Sequence, residues 1–255
     1  NQSGGIIPIV TNTWYNYPTP YFSWSGATDT GGSGVDGYYV YFGTTPSDDP
    51  ETAGAYQTAS AFTAPTLTTN NTYYLRIKTK DIAGNISATS DLFTYKYDGS
   101  VPNNPLSLSV LPSGYSSTNN FTFIWSVDAN DSGGAGSGVA GYQYSVNSTS
   151  NWSATILVGT EQVTLNSVAV EGANVFYLRT IDNVGNPSTI YKQVNFFFAG
   201  SAPNPPQNVV ATPSSNTANL FGFSWVAPDV FAGDANDIEY CYTVNTLPSA
   251  QTCTY

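Results

Sequence analysis

The sequence predicts an all-β fold, a tandem of antiparallel sandwiches, on three observations. First, no long stretch spaces its apolar residues at helical intervals. Short runs rich in Tyr, Val, Phe, Ile and Thr alternate along the chain instead, separated by Gly, Pro, Asn and Asp. Second, an aromatic run ending in tryptophan recurs, as Tyr21-Phe22-Ser23-Trp24, Phe121-Thr122-Phe123-Ile124-Trp125 and Phe221-Gly222-Phe223-Ser224-Trp225, with the tryptophans 101 and 100 residues apart. That period is one small domain per repeat. Third, the joints repeat as well. Tyr97-Asp98-Gly99-Ser100-Val101-Pro102 matches Phe198-Ala199-Gly200-Ser201-Ala202-Pro203. A glycine followed by prolines makes a short, semi-rigid connector, so the domains are expected end to end as repeat 1 (residues 1–98), repeat 2 (99–199) and repeat 3 (200–255).

Within repeat 1, residues 6–10 read as a first strand, 21–24 as a second and Tyr38-Tyr39-Val40-Tyr41-Phe42 as a third. Residues 72–79 form the longest, with Tyr73, Leu75 and Ile77 on one face and Tyr74, Arg76 and Lys78 on the other. Residues 91–97 close the domain. Repeat 2 follows the same order, at 106–111, 121–125, 141–146, 175–180 and 189–197. Repeat 3 offers strands near 209–211, 221–225 and 239–244 and a return strand from Thr252, and the later strands have no counterpart. Half a sandwich leaves its core face bare and an edge unpaired. Continuation of the parent chain and strands from a partner are both open.

Composition narrows the function. Hydrophobic residues make up 40% and charged residues only 9%, so Ser, Thr and Asn solvate the surface, which suits an extracellular protein. The net charge is −11, with six basic residues. Nucleic acid and anionic membranes need clustered Lys and Arg, so neither is an expected partner. No apolar run approaches the roughly 20 residues of a membrane helix. The chain has neither Met nor His, so Asn1 is expected to follow a cleavage or a fragment boundary, and no Ser-His-Asp or Cys-His arrangement can form. Nothing gathers paired carboxylates into a catalytic pocket. The chain reads as a non-enzyme.

The early Trp, the strand Gly37-Tyr38-Tyr39-Val40-Tyr41 and the long strand entered through Leu67 and Thr72-Tyr73 resemble fibronectin type III domains, a branch of the immunoglobulin-like sandwiches. The stretch from Leu67 to Tyr73 is similar to that family's tyrosine corner, in which a Tyr hydroxyl bonds back to the backbone. Repeat 2 departs from it, with Asn174 where Tyr73 would fall. The loops Ser33-Gly34-Val35-Asp36-Gly37 and Ser137-Gly138-Val139-Ala140-Gly141, with Asp81-Ile82-Ala83-Gly84-Asn85 and Asp182-Asn183-Val184-Gly185-Asn186, look like the bacterial version. That version occurs in tandem on large secreted or cell-surface proteins. The resemblance implies tandem fibronectin type III-like sandwiches in an elongated array, outside the cell.

Three motifs carry alternatives. Asp81 with Asp29, and Asp182 with Asp128 and Asp131, could supply oxygens to a calcium ion, since both loops fall at one end of a sandwich. Turn chemistry alone also explains Asp, Gly and Asn there. Tyr39 and Tyr41 point away from the face carrying Tyr38, Val40 and Phe42, and could stack on a sugar, with Trp14 and Trp152 as further candidates. Ordinary strand preference and packing against a neighbouring strand also explain them, and the aligned positions in repeat 2 are Gln143 and Ser145. The third is the cysteine pair. Aligning Tyr38, Tyr142 and Tyr240 turns Cys241 outward, where Cys253 on a return strand can face it. One local disulfide fits an oxidising compartment. The acidic loop Asp48-Asp49-Pro50-Glu51 has no counterpart in repeat 2, where Ser148 to Trp152 occupies the loop.

The leading expectation is a structural or adhesive segment, a stalk, spacer or filament, of a bacterial tandem-repeat surface protein. It has no required cofactor beyond calcium as an option. Its expected partners are flanking repeats or other copies of the same protein, with host-surface or matrix glycans as a further possibility. The alternative is a carbohydrate-binding or accessory module of a secreted hydrolase.

Overall fold

A computed structural model describes residues 8–131, 136–215, 217, 218, 220–228, 238–245 and 247. Repeat 1 contains β1 (Thr13–Tyr15), β2 (Tyr21–Ser23), β3 (Val35–Gly43), a one-turn helix α1 (Pro50–Ala53), β4 (Ala55–Gln57), β5 (Ala61–Thr63), β6 (Asn71–Asp81) and β7 (Ser90–Tyr97). A five-stranded sheet in the order β1-β7-β6-β3-β4 packs on the β2-β5 pair. Repeat 2 contains β8 (Leu108–Leu111), β9 (Tyr115–Ser116), β10 (Asn120–Trp125), β11 (Val139–Val146), β12 (Ile156–Leu157), β13 (Gln162–Asn166), β14 (Gly172–Asp182) and β15 (Lys192–Phe198). Its sheets run β13-β10-β8 and β12-β11-β14-β15-β9. Both are two-sheet β-sandwiches. Repeat 3 shows β16 (Gln207–Thr212) paired antiparallel with β17 (Gly222–Val226).

The predicted core strands are present, and period-two alternation explains why. Leu75 and Ile77 are buried and Tyr73 packs beside them, while Tyr74, Arg76 and Lys78 take the other face. In repeat 2, Phe176 and Leu178 are buried in the same way and meet Phe121, Phe123 and Phe196. The rings of Phe123 and Phe176 stack at 3.8 Å, and Phe196 meets Phe123 edge-on at 5.1 Å. Such pairs add to what burial alone contributes.

The repeated tryptophan has a repeated partner. Trp24 meets Tyr38 at 5.4 Å, Trp125 meets Tyr142 at 5.3 Å and Trp225 meets Tyr240 at 5.2 Å. Burial separates them, since Trp125 is 3% exposed and Trp225 is 37% exposed. The strands that cover Trp125 have no counterpart among the described residues of repeat 3.

The tyrosine corner forms in repeat 1, where the Tyr73 hydroxyl donates to the Thr69 carbonyl at 2.9 Å. Repeat 2 reaches the same end by another side chain. Asn174, 1% exposed, donates from Nδ2 to the Val170 carbonyl at 2.7 Å, again four residues back, and its Oδ1 accepts from the Val170 N–H at 3.0 Å.

Some elements differ from expectation. No strand covers residues 8–10; the first is β1, which pairs parallel with β7. Residues 239–244 form no strand, and only Tyr242 makes a single bridge. Cys241 lies among the described residues and Cys253 outside them, so the expected bridge falls partly beyond what is described. Among the described residues, no helix is long and apolar enough to cross a membrane.

Candidate metal centre at the first joint

The chain leaves β7 through Tyr97-Asp98-Gly99-Ser100 and enters repeat 2. Asp98 is pinned by its backbone, whose N–H donates to the Tyr15 carbonyl at 2.9 Å. Its Oδ1 accepts from Asn70 Nδ2 at 2.6 Å and its Oδ2 from the backbone N–H of Ser137 at 2.7 Å. The Asp98 side chain therefore ties the end of repeat 1 to a loop of repeat 2. Asp131 Oδ2 accepts from the Gly138 N–H at 2.8 Å, one residue further along that loop. Asp182 ends β14. Its Oδ1 accepts from the Asn186 N–H at 2.7 Å and its Oδ2 from Asn186 Nδ2 at 2.8 Å. Asn186 also donates to the carbonyls of Asp98 and Ser100, at 3.1 and 3.0 Å.

The result is a cluster drawn from two repeats. Ligand oxygens of Asp98, Asp131 and Asp182 lie within 4.8 Å of one another, and the residues are 0%, 4% and 2% exposed. Among the described residues, no other place gathers three such groups. Burial pushes the Asp131 and Asp182 carboxyls above the ordinary carboxylate range, and the neighbouring Asp98 acts in the same direction. Ser137 stands beside them with its Oγ buried and unbonded.

The chain's basic side chains are all engaged elsewhere. Arg76 meets Asp91, Lys78 meets Asp49 and Glu51, and Lys80 meets Asp36, all in repeat 1. Lys96 lies over the Trp14 ring, Arg179 bonds Gln143 and Lys192 bonds the Leu106 carbonyl. Three buried carboxylates without a basic side chain are costly when ionised. An all-oxygen set of this kind suits a hard cation such as Ca²⁺.

The predicted ligand sets are redrawn by this geometry. Asp131 and Asp182 come together. Asp128 does not join them, because its Oδ1 caps the start of repeat 2, accepting from the Leu106 N–H at 2.8 Å and from Ser126 Oγ at 2.5 Å. Asp98 was not among the expected ligands. The aligned joints carry its signal, since Asp98 falls opposite Ala199. Asp29 and Asp81 keep the turn roles of their counterparts, with Asp29 accepting from the Gly34 N–H at 2.9 Å and Asp81 from the Asn85 N–H at 2.7 Å. The Asn85 side-chain bond holds the Asp81 carboxyl below its ordinary value.

The aromatic candidates also change. Tyr41 is buried, and its hydroxyl accepts from the Thr45 N–H at 3.1 Å, so it presents no exposed ring. The loop after β3 folds back over that face. Tyr39 is half-buried edge-on against Tyr56 at 5.3 Å.

No family model matches the chain. It is 30% identical over 189 residues to exoglucanase B of Cellulomonas fimi, which spans 71% of this chain and 16% of that enzyme. It is 29% identical over 217 residues to chitinase A1 of Niallia circulans, covering 80% of this chain and 28% of the chitinase. The chain thus spans less than a third of either relative's length. Among solved structures, it resembles the fibronectin(III)-like modules of Clostridium thermocellum CbhA, with a TM-score of 0.42 and 14% identity over 74% of this chain and 90% of that one.

Proposed function

We propose that this chain, a tandem of fibronectin type III-like sandwiches, is a non-catalytic extracellular spacer whose first joint is fixed by a calcium ion. The observation that carries the reading is the convergence of Asp98 from repeat 1 with Asp131 and Asp182 from repeat 2. Asp98, Asp131 and Asp182 would hold the ion. When bound, it supplies positive charge that offsets three buried carboxylates and links two domains at a point where the connector alone is semi-rigid. The rest is done by the chain's own groups. Asn186 Nδ2 draws the Asp98 and Ser100 carbonyls toward the Asp182 loop, and Ser188 Oγ donates to the Pro102 carbonyl at 2.7 Å.

The relatives' names favour a place within a secreted polysaccharide hydrolase over an adhesive stalk. The absence of His and the low charge of the surface are in keeping with a spacer outside the cell. The test is thermal unfolding in calcium, in magnesium and in chelator. Calcium raises the midpoint, and magnesium, which demands tighter octahedral geometry, does so far less. Identical midpoints in all three conditions would remove the calcium role.

A further inference from the structure

The outward face of the five-stranded sheet differs between the repeats. In repeat 1 it is closed by ions: Arg76 Nε meets Asp91 at 2.6 Å, and Lys78 meets Asp49 at 2.7 Å and Glu51 at 3.2 Å. Repeat 2 replaces that acidic loop with Ser148-Thr149-Ser150-Asn151-Trp152. Arg179, the counterpart of Arg76, then lies 4.2 Å above the Trp152 ring and donates to Gln143 Oε1 at 3.0 and 2.7 Å. Trp152 Nε1 donates to the Thr149 carbonyl at 3.1 Å, which fixes the ring. Tyr191 meets Trp152 at 6.1 Å and Tyr177 at 5.2 Å, and is 44% exposed. The aromatic strip runs directly into a groove of about 440 Å³, lined by Tyr191, Asn103, Asn130, Asp128 and Lys192 among others.

We propose that this strip and groove bind a neutral, extended glycan. The exposed Tyr191 ring, and the part of the fixed Trp152 ring that Arg179 leaves open, offer apolar surface to the C–H faces of pyranose rings at little entropic cost. Carboxamides, a carboxylate and an ammonium in the adjoining groove match hydroxyl groups, which both donate and accept. The groove holds one acidic and one basic side chain, Asp128 and Lys192, and the chain carries a net charge of −11, so an anionic polysaccharide is disfavoured. A strip continued by a groove suits an extended chain better than a single sugar.

The test is affinity electrophoresis of the 255-residue chain at constant calcium, in gels containing hydroxyethyl cellulose, glycol chitin or polygalacturonate. The wild type is retarded by at least one of the neutral polymers and not by polygalacturonate. Tyr191→Ala and Trp152→Ala each weaken retardation at least ~10-fold, equivalent to losing about 1.4 kcal/mol of binding, while Tyr39→Ala in repeat 1 leaves it unchanged. Tyr191 is exposed, so its variant reports on binding even if Trp152→Ala disturbs folding. Free migration of the wild type in both neutral gels overturns the proposal. So does retardation that both variants retain, or retardation by the acidic polymer alone.

Discussion

Repeats 1 and 2 carry the same Asp-x-x-Gly-Asn loop, and the two loops stand in opposite environments. In each, the aspartate accepts from the backbone and side-chain nitrogens of the asparagine four residues on, Asn85 or Asn186. Gly84 and Gly185 take φ values of +97° and +93°, the left-handed turn geometry that glycine permits. Yet the Asp81 carboxyl is held below its usual range, while burial raises that of Asp182. The local motif is a turn in both places. What makes it a candidate metal centre in repeat 2 is the residue delivered by the preceding domain, Asp98.

The second joint makes the same point from the other side. Ala199 replaces Asp98, and its N–H donates to the Ser116 carbonyl at 2.9 Å just as that of Asp98 donates to Tyr15. The backbone geometry is kept and the carboxylate is gone. Glu171 Oε1 takes over the connector, accepting from the N–H groups of Gly200 and Ser201 and from Ser201 Oγ, all at 2.9 Å. Two joints of one sequence pattern are thus fastened differently, one by a buried cluster of three carboxylates and one by a single exposed carboxylate.

The largest expected effect separates repeat 2 from repeat 3. Trp125→Ala removes a ring 3% exposed and is expected to cost about 3–5 kcal/mol in denaturant unfolding. Trp225→Ala, at 37% exposure, is expected to change the unfolding curve far less. Equal losses would mean that repeat 3 is as tightly packed as repeat 2.

Asp98→Ala comes next. At calcium about 100-fold above its dissociation constant, the ion stabilises by about 2.7 kcal/mol, and the variant is expected to lose that increment while its curve in chelator moves much less. Asp81→Ala is expected to move both curves together, because that carboxylate serves only the turn. A calcium-dependent shift in Asp81→Ala would assign repeat 1 a site as well.

Asn174→Ala is expected to cost about 1–3 kcal/mol, since it removes a buried carboxamide that bonds the Val170 N–H and the Val170 and Gly172 carbonyls, and takes the acceptor from Asn147 Nδ2. Tyr73→Phe, which removes one hydroxyl bond, should cost about 1 kcal/mol. If the two losses were reversed in size, the view that a carboxamide replaces the tyrosine corner would fail. Smallest is Lys78→Ala, whose partners Asp49 and Glu51 are 45% and 42% exposed at the side chain, so urea titration is expected to show the least change of the series.

The sequence made the sandwich strands legible because two-residue alternation is local. The Trp24–Tyr38, Trp125–Tyr142 and Trp225–Tyr240 pairs follow from one alignment of repeats. Elements fixed by tertiary pairing were not legible. β1 forms where Thr13 to Tyr15 meets Tyr95 to Tyr97, and nothing within those residues announces a parallel partner. Tyr41 lies on the face its strand parity predicts, but the following loop covers it. The metal candidates were half legible. Asp131 and Asp182 belong to a repeated loop pattern, whereas Asp98 becomes their neighbour only when one domain docks against the next.

Isothermal titration of calcium into the wild type, Asp98→Ala and Asp29→Ala tests the joint most directly. Wild type and Asp29→Ala are expected to show the same binding event and Asp98→Ala to lack it. Calcium uptake unchanged by Asp98→Ala, or none in the wild type, would contradict a cation held between the repeats.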